Sequence, residues 1–170
     1  MQLTAAAYVV AAKSRNDNAS VSADVDQIVT AVREAAPART SERDGWTRHL
    51  LWVDDRPDNN IYERGAFEAV GLKSTLALST DEALDLLKSR KYAAIISDMG
   101  RREGPREGYV LLDAIRSRKD QTPFFIYSGS NAPEHKREAE SHGGQGCTND
   151  ARELFEMVTR SAIDRASQRA

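Results

Sequence analysis

The sequence predicts an α/β domain with a five-stranded parallel sheet flanked by helices, and three observations carry that prediction. From residue 49 onward, short apolar runs alternate with amphipathic helical segments. Two of the runs, AAIIS at 93–97 and FFIYS at 124–128, are almost continuously apolar, as strands are when helices cover both faces of a sheet. The first, third and fourth runs each end in a carboxylate or a hydroxyl, the chemistry found where such a sheet binds its ligands.

In chain order the strands fall at 50–54 (LLWVD), 74–79 (STLALS), 93–98 (AAIISD), 123–128 (PFFIYS) and 145–148 (QGCT). Helices are predicted over 57–70, 81–90, 108–118, 132–142 and 150–165, with Leu84, Leu86 and Leu87, then Val110, Leu111, Leu112 and Ile115, as buried faces. Ahead of this unit, Val25, Ile28, Val29 and Val32 recur at helical spacing. Ser22 is a candidate N-cap and Pro37 a stop, so a helix over about 22–36 is expected, buried against the domain or a second copy. The polar stretch at 37–45 divides the chain into a helical extension with its linker (1–45) and the main domain (46–170).

Composition narrows the function classes. The 170 residues suit one domain with a small appendage, and the net charge of −2 offers no electrostatic case for direct nucleic-acid binding. The single cysteine, Cys147, excludes an internal disulfide or a cysteine-rich zinc site and fits a reducing compartment. The N-terminal apolar stretch is only about ten residues long and lacks a basic n-region, so a cytoplasmic protein is expected; a membrane tether in a longer native chain stays open. His49, His135 and His142 show no metal spacing.

Asp54 and Asp55 stand side by side where the first strand surfaces. Adjacent carboxylates repel and resist desolvation, so a divalent cation is one reading; a strand ending in solvent before a helix that holds Pro57 in its first turn is the plainer one. The third strand brings Asp98 to the same edge and the fourth brings Ser128. Three carboxylates form the hard oxygen site that Mg²⁺ prefers, and a hydroxyl beside them can bond a phosphoryl oxygen.

On these residues the chain resembles the receiver domain of bacterial two-component response regulators. WVDDRPDNN is similar to the acidic-pair strand and following helix, AIISDMG to the strand with the phosphoacceptor aspartate, and PFFIYSGS to the strand that ends in Ser or Thr before a small residue. The intervals, 43 residues from Asp55 to Asp98 and 30 from Asp98 to Ser128, are ordinary for that family. The resemblance covers about residues 49–165 and implies strand order 2-1-3-4-5, which sets the first and third strands side by side.

It further implies that Asp98 is the phosphoacceptor. Asp54, Asp55, Asp98 and the carbonyl of Gly100 would hold Mg²⁺, Ser128 would bond the phosphate, and Gly129 would leave room beside it. The implied partners are a histidine kinase or phosphotransfer protein as donor and a downstream protein as reader, with a homodimer as a further expectation. Activity would be limited to self-phosphorylation and its reversal. A phosphorylation-independent pseudo-receiver, a binding module of the same fold, is the rival reading; a phosphatase of related topology lacks its second aspartate, since position 100 is glycine.

The sequence also departs from the family. Where receivers carry a lysine after the fifth strand, this chain has Asp150, which can cap the last helix and, with Glu153, form a capping box. Cys147 stands where a switch aromatic is usual. The loop MGRREGPREG is about two residues longer than usual. Arg101 and Arg102, with Arg106, offer a guanidinium to bind phosphate in place of the missing ammonium; a solvated basic loop turned by Gly and Pro is the plainer reading.

Overall fold

A computed structural model of the chain describes residues 42–168. The helix expected over 22–36 lies outside them, as do the first 41 residues of the expected extension. A 3-10 helix, Glu42–Arg48, leads into β1 (His49–Val53), and a second, Pro57–Asn60, precedes α1 (Ile61–Ala69). Then follow β2 (Lys73–Ala77), α2 (Thr80–Ser89), β3 (Ala94–Ser97), α3 (Glu107–Ser117), β4 (Phe124–Tyr127), α4 (Pro133–Ser141), β5 (Gly146–Thr148) and α5 (Ala151–Ser167). The strands form one parallel sheet in the order β2-β1-β3-β4-β5, as expected.

Alternation along β1 sorts the core into two layers. Leu51 and Val53 join Ile95, Ile126, Leu111, Leu112 and Ile115 on one face. Leu50 and Trp52 join Ile96 and Phe125 on the other, against Phe67 of α1 and Leu154, Phe155 and Val158 of α5. Trp52 packs edge to face on Phe67 and Tyr127, with ring centroids 6.1 and 6.2 Å away. Each such side chain, taken from water to full burial, contributes about 1.5–3 kcal/mol, so the central strands hold the sheet rigidly beneath its polar edge.

Two expectations need correction. The helix predicted from residue 57 begins as a 3-10 turn, because Pro57 fits a first turn while Asn59 and Asn60 favour local side-chain bonding over helix continuation. Val110 is half exposed; the buried stripe of α3 runs through Gly108, Leu111, Leu112 and Ile115 at helical spacing, and Val110 lies off it. The 3-10 helix before β1 takes in residues 42–45, the end of the polar stretch, together with the start of the expected main domain. Trp46 within it lies under the guanidinium of Arg165, 4.9 Å from ring centroid to the central carbon.

Candidate functional site

Parallel register creates the site. Val53 pairs with Ser97, so the next step along each strand sets Asp54 beside Asp98, on the Trp52 side of the sheet. Both residues stay tied to the sheet by their backbones: Asp54 N–H donates to Ala77 O (3.0 Å) and Asp98 N–H to Val53 O (3.0 Å). Asp54, Asp55 and Asp98 each present a carboxylate oxygen within 4.8 Å of the other two. Two oxygens on opposite sides of one Mg²⁺, at roughly 2.1 Å each, lie about 4.2 Å apart, so this spacing is close to that of a shared cation.

Backbone and amide donors aim the carboxylates. Asp54 is buried; its Oδ1 accepts from Arg56 N–H (2.7 Å) and its Oδ2 from Asn60 Nδ2 (2.6 Å). Asp55 Oδ2 accepts from the N–H of Arg102 (2.9 Å), so the loop after β3 folds back onto β1. Asp98 Oδ1 accepts from Met99 N–H (2.7 Å). Among the described residues, Asp55 Oδ1 and Asp98 Oδ2 accept no hydrogen bond from protein. Burial pushes the Asp98 carboxyl above the ordinary carboxylate range and the charge of Asp54 adds to the push, while Met99 N–H and Arg101 oppose it. A cluster of this kind, with like charges gathered within 4.8 Å and two oxygens unclaimed by protein, fits a divalent cation.

The other expected residues divide. Ser128, directly after β4, is half-buried and donates its N–H to Thr148 O (3.1 Å), which brings it to the same edge of the sheet. Gly129 and Gly100 are exposed, and a Cβ built on Gly129 would meet nothing within 4 Å. Arg102 keeps its guanidinium 84% exposed, with Nε 3.9 Å from Asp55 Oδ2.

Arg101 departs from both readings of its loop. Its side chain is wholly buried, and all five N–H donors are engaged. Nε–H donates to Glu103 Oε2 (3.3 Å), Nη1 to Ser97 Oγ (2.8 Å) and Asp98 O (3.2 Å), and Nη2 to Thr80 Oγ1 (2.6 Å) and Glu107 O (3.2 Å). A guanidinium so committed is neither a solvated loop charge nor one with a donor left for a phosphate.

Asp150 is the N-cap of α5: its Oδ1 accepts from Arg152 N–H (2.8 Å) and Glu153 N–H (3.0 Å). The expected capping box does not close. Glu153 accepts instead from Lys136 Nζ (2.8 Å) and Thr148 Oγ1 (2.7 Å), and Thr148 Oγ1 in turn accepts from Asp150 N–H (3.0 Å). Cys147 is buried beside this junction, and burial pushes its thiol up.

Sequence reasoning missed Asn60 and Gly108. The run of polar residues after Pro57 was the available signal for Asn60, since a short amide at the start of a helix bonds backward. Gly108 lets α3 abut the end of β3: a Cβ there would lie 2.9 Å from Asp98 O and 3.2 Å from Met99 Cα.

No protein-family profile and no curated protein matches the chain. Solved structures do. The receiver domain of Francisella response regulator 1452 is 26% identical, with a TM-score of 0.63, over 69% of this chain and 98% of that one. A two-component response regulator from Clostridium difficile is 25% identical, with a TM-score of 0.58, over 69% of this chain and 95% of that one. The chain has the receiver fold of response regulators. A chemotaxis response regulator of Vibrio cholerae, 21% identical with a TM-score of 0.55 over 69% of this chain and 97% of that one, shares the receiver fold. Among the described residues, no helix is long and apolar enough to cross a membrane.

Proposed function

We propose that this receiver domain accepts a phosphoryl group on Asp98 in a Mg²⁺-dependent phosphorelay and signals through protein contacts. The observation that carries the reading is the convergence of Asp54, Asp55 and Asp98, with one oxygen of Asp55 and one of Asp98 unclaimed by protein. Asp98 Oδ2 attacks phosphorus, the bond to the donor's imidazole nitrogen breaks as the new P–O bond forms, and the departing imidazole keeps the electron pair. The donor is a histidine kinase or phosphotransfer protein.

Asp54, Asp55, Asp98 and the Gly100 carbonyl are the groups that would hold Mg²⁺, which when bound supplies positive charge opposite the transferring oxygens. Asn60 and the N–H groups of Arg56, Met99 and Arg102 keep the carboxylates aimed. The Ser128 hydroxyl donates to a phosphoryl oxygen, Gly129 leaves space beside it, and Arg102 is the exposed cation at the rim. In this reading residues 46–170 are the receiver unit, residues 1–45 an extension suited to dimerisation or attachment, and a downstream protein reads the state in the cytoplasm.

Intact mass after incubation with Mg²⁺ and acetyl phosphate tests this. The expected result is a gain of one phosphoryl group in the wild type and none in Asp98→Asn. A wild type that stays unmodified would move the protein to the pseudo-receiver reading.

A further inference from the structure

We infer that Arg101 is a positioning residue that presets the carboxylates of the acidic site for a divalent cation. The inference rests on the Mg²⁺ reading above and adds a residue whose side chain touches none of the three carboxylates.

The guanidinium ties together three pieces of chain that meet behind the site. Through Ser97 Oγ and Asp98 O it holds the last residues of the acceptor strand; through Thr80 Oγ1 it holds the first turn of α2; through Glu107 O it holds the first turn of α3. Its own backbone closes a tight turn with Gly104, with N–H to O distances of 2.9 and 3.0 Å in the two directions. Glu103 within that turn accepts from the Arg101 Nε–H and from Thr80 N–H (3.1 Å), so the loop is latched at its tip as well.

The consequence appears one residue further on. With Arg101 fixed, the N–H of Arg102 is delivered to Asp55 Oδ2 at 2.9 Å. One buried side chain therefore sets two of the three carboxylates: Asp98 through its own carbonyl, and Asp55 through the adjoining amide. Groups that orient metal ligands from behind govern affinity because the ligands then need no reorganisation when the cation arrives. The fixed positive charge also offsets part of the repulsion that assembling three carboxylates creates.

Mg²⁺ titration by calorimetry decides the matter, on wild type, Arg101→Lys and Thr80→Val, at denaturant-free conditions where each is folded by circular dichroism. Lysine keeps the charge but cannot span five acceptors, and Mg²⁺ should bind it roughly tenfold more weakly. Thr80→Val removes one anchor of the guanidinium and should weaken binding by a smaller factor. A purely structural Arg101 would lower the unfolding midpoint and leave the Mg²⁺ affinity of the folded protein unchanged; equal affinity in all three proteins overturns the inference. Should Arg101→Lys not fold, Thr80→Val alone decides in the same way. A wild type that binds no Mg²⁺ overturns the acidic-site reading and this inference with it, whereas binding that both variants retain overturns only the role of Arg101.

Discussion

Ser97 and Asp98 are consecutive residues of one strand end, yet alternation sends their side chains into opposite regimes. Asp98 joins two other carboxylates at a partly open rim, where burial and like charge work against ionisation and protein donors leave two oxygens unclaimed. Ser97 joins Arg101, Thr80, Glu103 and Glu107 in a network where every guanidinium donor has an acceptor. A buried polar cluster is tolerable when satisfied and costly when not, so the two clusters have different meanings. The satisfied one holds the fold together around the end of β3; the unsatisfied one is the cluster on which the proposed Mg²⁺ site rests.

The largest effect that bears on this contrast is the removal of a charge from each cluster. Arg101→Met would strand Ser97, Thr80 and two backbone carbonyls without their donor, and it should cost about 3–5 kcal/mol, as breaking a buried paired charge does. Asp98→Asn should leave stability in EDTA equal or higher, since it removes repulsion. Urea denaturation of the two variants beside wild type measures both. If Asp98→Asn were the more damaging, the division between a structural and a functional cluster would be wrong.

A smaller effect tests where the β5–α5 junction belongs. Asp150 stands where the family resemblance places a lysine, but its carboxylate accepts from two N–H groups at the start of α5. That is the work of a cap, and Asp150→Ala should cost about 1 kcal/mol in thermal or urea unfolding. Mg²⁺ affinity should not change. Asp150→Lys should lose the same cap. If either substitution altered Mg²⁺ binding severalfold, the junction would have to be counted with the acidic rim.

Most of the fold was legible because its signals are local. Each strand is a short apolar run, each helix carries its own stripe, and the order of Asp54, Asp55, Asp98 and Ser128 along the chain survives intact at the edge of the sheet. Asp150 as a helix cap was legible for the same reason. The fate of Arg101 was not. Its partners lie 21 residues upstream in Thr80, four upstream in Ser97 and six downstream in Glu107, and only the packing of α2 and α3 on β3 brings them together. In the sequence it looks like its neighbours Arg102 and Arg106. The capping box failed similarly, because Lys136 and Thr148 compete for Glu153 from outside the local window.

Arg106 completes that set of three arginines and supplies the smallest test. It pairs with Glu138 of α4 and lies over the Tyr109 ring at 4.9 Å, with its side chain largely exposed. The hydrogen bond from Arg106 holds the Glu138 carboxyl below its ordinary value of 4.5; burial opposes it, and the charge of Arg106 adds to the lowering. A depressed carboxylate contributes stability that is present above its unfolded pKa and lost as pH falls through its folded one. Glu138→Gln keeps the arginine on the tyrosine ring and removes only the charge. It should therefore be slightly less stable than wild type near neutral pH, with the gap closing as the solution is acidified below the ordinary carboxyl value of 4.5 and shrinking when salt is added. Thermal unfolding of the two proteins across that range, at low and high salt, measures the gap. A difference that persisted unchanged in acid would mean that shape rather than charge joins α3 to α4. The third arginine would then be a packing residue like Arg101, and the contrast between a satisfied cluster and an acidic rim would rest on Arg101 alone.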